Sequence, residues 1–419
     1  MHTSGIRVVA SAPGRVDLLN THQDYKGLPV VPASINLRTY VKAEPTTSGL
    51  VRVRSLNLQE LGEPSYDEIP IDAISIREKR WFGNYFRAIL RILAKLGAKP
   101  SGADVTVRSQ VPIASGLASS ASLEVSFLMA ISALWKRKLT VRQIAEFAYR
   151  SENVELGIPC GRLDQYGSAF GGMILLECRP PFRVERLQSA GYVFSVLDSG
   201  VRHSTAEVHS TRQRELNEGV ESLLESDIPR KLRKKLGPTF DRVEWAAISE
   251  KEIEPFLESM SQENANRILF TLRTQKSTEL AMRILKKGRL PVKQLQDILG
   301  SEHTRNLPRE QRRELRMKAL GGIMNYQHEL LRDLYELSVA ELESIRHAAL
   351  DAGAYGAKIS GAGLGGSLVA LVHSIESGEK IVEAARAAGA KQGWTSTVGQ
   401  AARIERGKAL VDSQGPVPA

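Results

Sequence analysis

Pro112-Ile113-Ala114-Ser115-Gly116-Leu117-Ala118-Ser119-Ser120-Ala121-Ser122-Leu123-Glu124-Val125 is the stretch on which the reading of this chain turns. It follows an alternating strand pattern, Ala103-Asp104-Val105-Thr106-Val107, and runs into an apolar helical segment, Leu123 to Leu134. Small residues let a backbone approach a ligand closely, and the first N–H groups of a helix have no partner inside it. With the helix dipole they form a seat for phosphate. The hydroxyls of Ser119 and Ser120 are also suited to a divalent cation. No Gly-Lys-Ser/Thr closes the stretch, so it is not a Walker A loop. On this segment alone, a serine-rich loop that caps a core helix is an equally good account.

Working outward, two textures divide the chain. From Ile6 to about Glu185, β-type runs (Ile6 to Ala10, Leu50 to Arg54) alternate with amphipathic segments such as Tyr85 to Leu96. A strand-like run from Tyr192 to Leu197 then opens a long, mostly helical region reaching about Leu350. A second strand, Gly366 to Val372, and a helix around Ile381 to Ala388 follow. The expectation is an α+β fold of two domains, 1–188 and 189–411, with a frayed tail over 412–419. A helical insert around Leu290 to Arg316 has no assigned role.

The chain has 419 residues and a net charge of +10, from 57 Lys+Arg against 47 Asp+Glu. At 42% hydrophobic and 25% charged residues it is not a disordered chain. Two cysteines, Cys160 and Cys178, make neither a disulfide scaffold nor a four-cysteine zinc site. No run of about 18 uncharged apolar residues exists, and the N-terminus lacks secretory features, so a soluble, cytoplasmic protein is expected. The basic clusters Arg230 to Lys235 and Arg309 to Arg313 sit in helical-reading sequence beside apolar positions. They read as solvated helix faces, and neither nucleic acid nor membrane is expected as a partner.

Two more clusters stand out. Gly361-Ala362-Gly363-Leu364-Gly365-Gly366 precedes a buried-type strand, and four glycines in six residues exceed the needs of one turn. Close approach to a ligand or to another loop is the alternative to a tight connection. Pro13-Gly14-Arg15-Val16-Asp17-Leu18-Leu19-Asn20-Thr21-His22-Gln23-Asp24-Tyr25-Lys26-Gly27 follows the first strand. It is dense in polar groups that suit a small, hydroxyl-rich ligand, and a surface turn is the bland alternative.

In this order and spacing the three clusters resemble the signature motifs of the GHMP small-molecule kinases, and within them the galactokinases. Gly14 to Gly27 resembles the signature usually written GRVNLIGEHTDYNGG. Gly116-Leu117-x-Ser119-Ser120-Ala121-Ser122-Leu123-Glu124-Val125 matches the second motif, and the third matches Gly-Ala-Gly-Phe-Gly-Gly with Leu364 in place of Phe. Cys160-Gly161-Arg162-Leu163-Asp164-Gln165-Tyr166 is similar to the family's Cys-Gly-Ile-Met-Asp-Gln-Phe, and Asp333 to Ser338 to its Asp-Asp-Tyr-Glu-Val-Ser.

The resemblance implies a two-domain fold with the active site in the interdomain cleft, and transfer of the ATP γ-phosphoryl group to a sugar hydroxyl. It makes Asp164 the catalytic base and Arg15 its partner and phosphoryl stabiliser. Pro112, Ser115, Gly116, Leu117, Ala118, Ser119, Ser120 and Gly363 would bind ATP. Ser120, or otherwise Ser119, and Glu152, which lies 12 residues before Asp164, would hold Mg²⁺; Glu155 is the rival. His22, Asp24 and Gly161 would line the sugar pocket. Two positions depart from the pattern: Thr21 stands where galactokinases carry the Glu that receives the sugar's 6-hydroxyl, and His209 aligns with a sugar-contacting Tyr. Both keep a uronic acid or another sugar, such as N-acetylgalactosamine, beside galactose as acceptor. A non-catalytic sugar and ATP sensor, or an isoprenoid or inositol kinase, are the competing readings.

Overall fold

In the computed structural model, which describes residues 7–98, 100–202, 205–287, 293 and 312–405, the chain folds around two sheets. The first contains β1 (Val8–Leu19), β2 (Val31–Pro45), β3 (Leu50–Ser55), β4 (Tyr66–Pro70), β5 (Ala103–Ser109), β6 (Met173–Leu176), β7 (Val184–Leu187) and β12 (Arg403–Ile404). Its main path runs β12-β1-β2-β5-β3-β4, with β6 attached through β2 and β7 through β6. Only the β3–β5 pairing is parallel. The short α1 (Leu56–Glu60) follows β3, and α2 (Asn84–Lys95), α3 (Ser119–Leu134), α4 (Val141–Arg150) and α5 (Leu163–Phe170) complete this unit. Phe86, Phe127 and Ile131 from the helices meet Val41, Val53 and Val105 from the strands in its core.

The second sheet is antiparallel and ordered β11 (Gln392–Thr397), β8 (Val193–Asp198), β10 (Ser367–Val372), β9 (Gly356–Ser360). The helical stretch comprises α6 (Thr205–Glu225), α7 (Arg230–Arg233), α8 (Glu250–Ile253), α9 (Gln262–Lys287), α10 (Arg312–Asp333) and α11 (Ala340–Asp351), and α12 (Ile375–Ala387) comes after β10. A shared core joins the two units: Val16, Leu18 and Ile35 pack with Phe194, Val196, Val369 and Ile323. The α+β, two-sheet architecture therefore agrees with the sequence reading.

One boundary differs. The Pro13–Leu19 half of the first motif lies inside β1, not in a loop after it. Every residue of β1 is buried, and register shifts at Pro13/Arg15 and Asp17/Leu19 interrupt its pairing with β2. Such irregularities re-aim side chains within a strand, which lets a buried strand present polar groups to a site. The basic run at Arg230 forms the short α7, with Leu232 buried beneath it. Of the 290–316 insert, all but 293 and 312–316 lies outside the described residues, as does the 412–419 tail. No helix among the described residues is long and apolar enough to cross a membrane.

Candidate active site

Arg15 projects from β1 and is nearly inaccessible to solvent. Its Nε and Nη2 donate to Asp164 Oδ1 at 3.0 and 2.5 Å, and its Nη1 donates to the Gly116 carbonyl at 2.6 Å. Asp164 sits in the first turn of α5, where the helix dipole favours an anion. The Asp164 side chain nevertheless remains 33% exposed, so the carboxylate is held on one side and open on the other. Both residues line a cavity of about 1200 Å³, large enough for a nucleotide and a small acceptor together. Its walls come from both units: Thr21, His22, Asp24 and Gly161 from the first, His209, Gly361 and Ala362 from the second.

The two glycine-bearing loops touch each other backbone to backbone. A Cβ placed on Gly116 (φ +76°) would lie 2.4 Å from the Ser360 carbonyl, and one on Gly361 would lie 2.7 Å from the Gly116 Cα. Loop-to-loop contact thus accounts for much of the glycine density. Ser119 and Ser120 form the first helical turn of α3 and line the cavity with Gly116 and Ala118. Pro112, Ser115, Leu117 and Gly363 stand just behind this lining. Ser115 is fully buried and donates to the Pro112 carbonyl at 2.8 Å; the Leu117 carbonyl accepts from the Arg15 amide at 3.1 Å. Gly363 packs against Leu337, so these residues shape the loops from behind.

Ser120 Oγ lies 3.3 and 3.5 Å from the carboxylate oxygens of Glu152. Glu152 occupies a π-helical turn, Ser151–Glu155, and its Oε2 accepts from Gln165 Nε2 at 2.7 Å. Burial, with the Asp164 charge added, pushes its carboxyl up to about 7. A hydroxyl beside a carboxylate is a hard-oxygen pair that fits Mg²⁺. No cluster of three or more His, Cys, Asp or Glu suited to a metal occurs among the described residues. Glu155 pairs instead with Arg91 at 3.0 Å and Lys95 at 2.5 Å.

On the acceptor side, Asp24 Oδ2 accepts from the Leu163 amide at 3.0 Å, and burial raises its carboxyl to about 6. Gly161 makes this possible, since a Cβ there would lie 1.8 Å from Asp24 Oδ2. Gly161→Ala is therefore expected to raise the acceptor KM at least about tenfold with a smaller change in the KM for ATP; steady-state kinetics with each substrate varied checks it. His22 has both ring nitrogens engaged, Nδ1 with Tyr25 Oη at 3.0 Å and Nε2 with the Ala362 carbonyl at 3.1 Å. A carbonyl only accepts, so Nε2 carries the proton and Nδ1 accepts from Tyr25. Burial, then neighbouring His209, holds the imidazole well below its ordinary pKa. His22 thus lines the cavity with both ring nitrogens engaged within the protein. His209, on α6, lies 4.9 Å from it between ring centroids, and its buried Nδ1 has no partner among the described residues.

Sequence reasoning passed over three groups. Asp17, where the signature has Asn, lines the cavity with Oδ1 3.0 Å from Arg15 Nε and Oδ2 accepting from the Gly361 amide. Lys358 is completely buried and donates to Thr21 Oγ1 at 2.6 Å. Arg77, Lys79, Arg80, Trp81 and Tyr85 add basic and aromatic lining that suits a nucleotide. The first two positions were visible beside the motifs; the third group has no local pattern.

Comparison with known proteins gives the lineage. The GHMP kinases N terminal domain profile matches residues 84–172, the galactokinase galactose-binding signature residues 2–45, and the GHMP kinases C terminal profile residues 309–391. A galactokinase of Chloroflexus aurantiacus is 30% identical over 372 residues, covering 87% of this chain and 83% of its own. The chain belongs to the GHMP kinases. A mevalonate kinase of Thermococcus sibiricus is 28% identical over 403 residues, 96% of this chain and 99% of that one. Among solved structures, the Lactococcus lactis galactokinase complexed with galactose superposes with a TM-score of 0.75 at 21% identity, covering 95% of each chain. This GHMP kinase is thus a phosphotransferase that uses ATP, with its cleft between two units in the family manner.

Proposed function

We propose that this GHMP kinase transfers the γ-phosphoryl group of ATP to the anomeric hydroxyl of a sugar, with galactose as acceptor. The single observation that carries the reading is the Arg15–Asp164 pair, closed at 2.5 Å beside the Ser119–Ser120 helix start in one cavity. Asp164 takes the proton from the attacking hydroxyl as the new O–P bond forms and the bond to ADP breaks. Arg15 orients the carboxylate through two hydrogen bonds, and its charge lies beside the transferred group. The N-terminal amides of α3 receive the nucleotide phosphates. Mg²⁺, when held by Ser120 and Glu152, neutralises charge on the phosphate oxygens.

The match to a galactose-binding signature and the polar rim of Asp24, Thr21 and His209 favour a sugar over an isoprenoid alcohol, despite the mevalonate kinase relative. Retention of Arg15, Asp164 and Glu152 together favours an enzyme over a sensor. The cytoplasm, where ATP is available, is part of the same proposal. ADP release measured across galactose, N-acetylgalactosamine, arabinose and mevalonate tests it: turnover with a sugar is expected, and sugar binding without turnover of any acceptor would leave the sensor reading. Glu152→Gln is expected to raise the Mg²⁺ concentration for half-maximal rate at least about tenfold. An unchanged Mg²⁺ titration would remove Glu152 from the metal site.

A further inference from the structure

Thr21 and Lys358 reverse the hydrogen-bond polarity of one wall of the acceptor pocket. Lys358 has three N–H donors, and all three meet uncharged oxygens: the Asp17 and Ile359 carbonyls at 2.8 Å and Thr21 Oγ1 at 2.6 Å. Because Thr21 Oγ1 accepts from an ammonium, its own hydrogen is polarised, and among the described residues it donates to none. Thr21 lines the cavity, so this hydrogen is available to a ligand. His209 brings a second unsatisfied polar atom to the same pocket, its buried Nδ1.

The charges are arranged to match. Read against the signature quoted above, the chain has Asp at position 17 where the signature has Asn, and Thr at position 21 where it has Glu. Relative to the signature, the anion stands at position 17, in β1, and not at position 21. Asp17 now lies against Arg15 and the Gly361 amide, while the wall at Thr21 keeps only the cation behind it. Other ionisable groups of the cavity include Asp164, held by Arg15, Asp24, turned to the Leu163 amide, Glu152, Cys160 and the imidazoles of His22 and His209, and Asp17 acts on the Lys358 charge from its other side. The nearest charge to the Thr21 hydroxyl is therefore positive, and the wall offers a donor where a carboxylate would offer only acceptors.

We infer that this pocket also phosphorylates a sugar acid, galacturonate, whose carboxylate accepts from Thr21 in the field of Lys358. The inference rests on the sugar 1-kinase reading: with the anomeric hydroxyl at Asp164, the exocyclic carboxylate on C5 lies on the other side of the ring oxygen from the reacting carbon. The step itself is unchanged: the anomeric oxygen bonds the γ-phosphorus, ADP leaves, and the proton goes to Asp164. A carboxylate supplies the acceptor that the Thr21 hydroxyl lacks and a second negative charge, beside Asp17, for a buried ammonium.

The test is initial-rate kinetics of the full chain with ATP and Mg²⁺, using galactose, galacturonate and glucuronate. The expected result is kcat/KM for galacturonate at least equal to that for galactose, with glucuronate well below both. Turnover of galactose with galacturonate under one-tenth of it overturns the inference and leaves the sugar kinase standing. No turnover of any of the three removes galactose as acceptor and overturns this inference with it. Thr21→Glu is expected to lower the galacturonate-to-galactose ratio of kcat/KM at least about 30-fold, through like-charge contact. An unchanged ratio overturns the assignment. Should that variant fold poorly, thermal stabilisation of the unmodified chain by galacturonate, expected to exceed that by galactose, serves as the second reading.

Discussion

Asp164→Asn is expected to lower kcat at least about 1,000-fold while changing ATP affinity less than about threefold. The substitution keeps shape and an acceptor oxygen for Arg15, and removes the basicity that receives the hydroxyl proton. Arg15 retains the Gly116 carbonyl and neighbouring Asp17, so the loop that meets the nucleotide stays anchored. The nucleotide seat at Ser119 and Ser120 is built by the start of α3, on a separate element from Asp164. Single-turnover rates with nucleotide binding measured in parallel separate the two effects. Turnover within tenfold of the unmodified chain would dismiss Asp164 as the base.

The second large effect is expected at Gly116. Gly116→Ala would combine a left-handed backbone at φ +76° with a Cβ 2.4 Å from the Ser360 carbonyl. The listener in that contact is backbone on a buried strand end, so it has little room to yield. Strain at such a backbone angle costs about 1–3 kcal/mol, and overpacking adds a comparable amount. The loss is expected to exceed about 2 kcal/mol in stability, read from denaturant unfolding. Activity is expected to fall further than stability alone dictates, because the Gly116 carbonyl also anchors Arg15 and accepts from Ser360 Oγ at 3.3 Å. A variant with unaltered unfolding and rate would show the two loops to be independent.

Much of the fold is legible in the amino-acid sequence. The alternation over 103–107 and the apolar run to Leu134 report interactions within one strand and one helix, and β5 and α3 duly occupy Ala103–Ser109 and Ser119–Leu134. The extent of β1 was not legible, because its burial on both faces comes from elements far away in the chain: α3 and α5 pack on it, and its Val16 and Leu18 reach the second unit's core. Without that cover, a segment holding Arg15, Asp17 and Asn20 reads as a polar loop. The same limit holds for the loops: the motif resemblance groups Ser115, Leu117 and Gly363 with the phosphate seat, while only the folded chain shows Ser115 and Leu117 buried and Gly363 packed on Leu337.

The amino-acid sequence alone determined the order of elements, the lineage and the residue types available for phosphoryl transfer, since each depends on neighbours a few positions apart or on motif order. Only the tertiary structure decided what those residues do to one another. Arg15 and Asp164 meet across 149 positions, Lys358 and Thr21 across 337, and His22 and Ala362 across 340. Such pairs form when chain closure and burial bring remote segments together, and burial then sets their charge and hydrogen-bond state. That is why Thr21 could be recognised as a departure from its sequence, while the cation behind it became visible only in the folded chain.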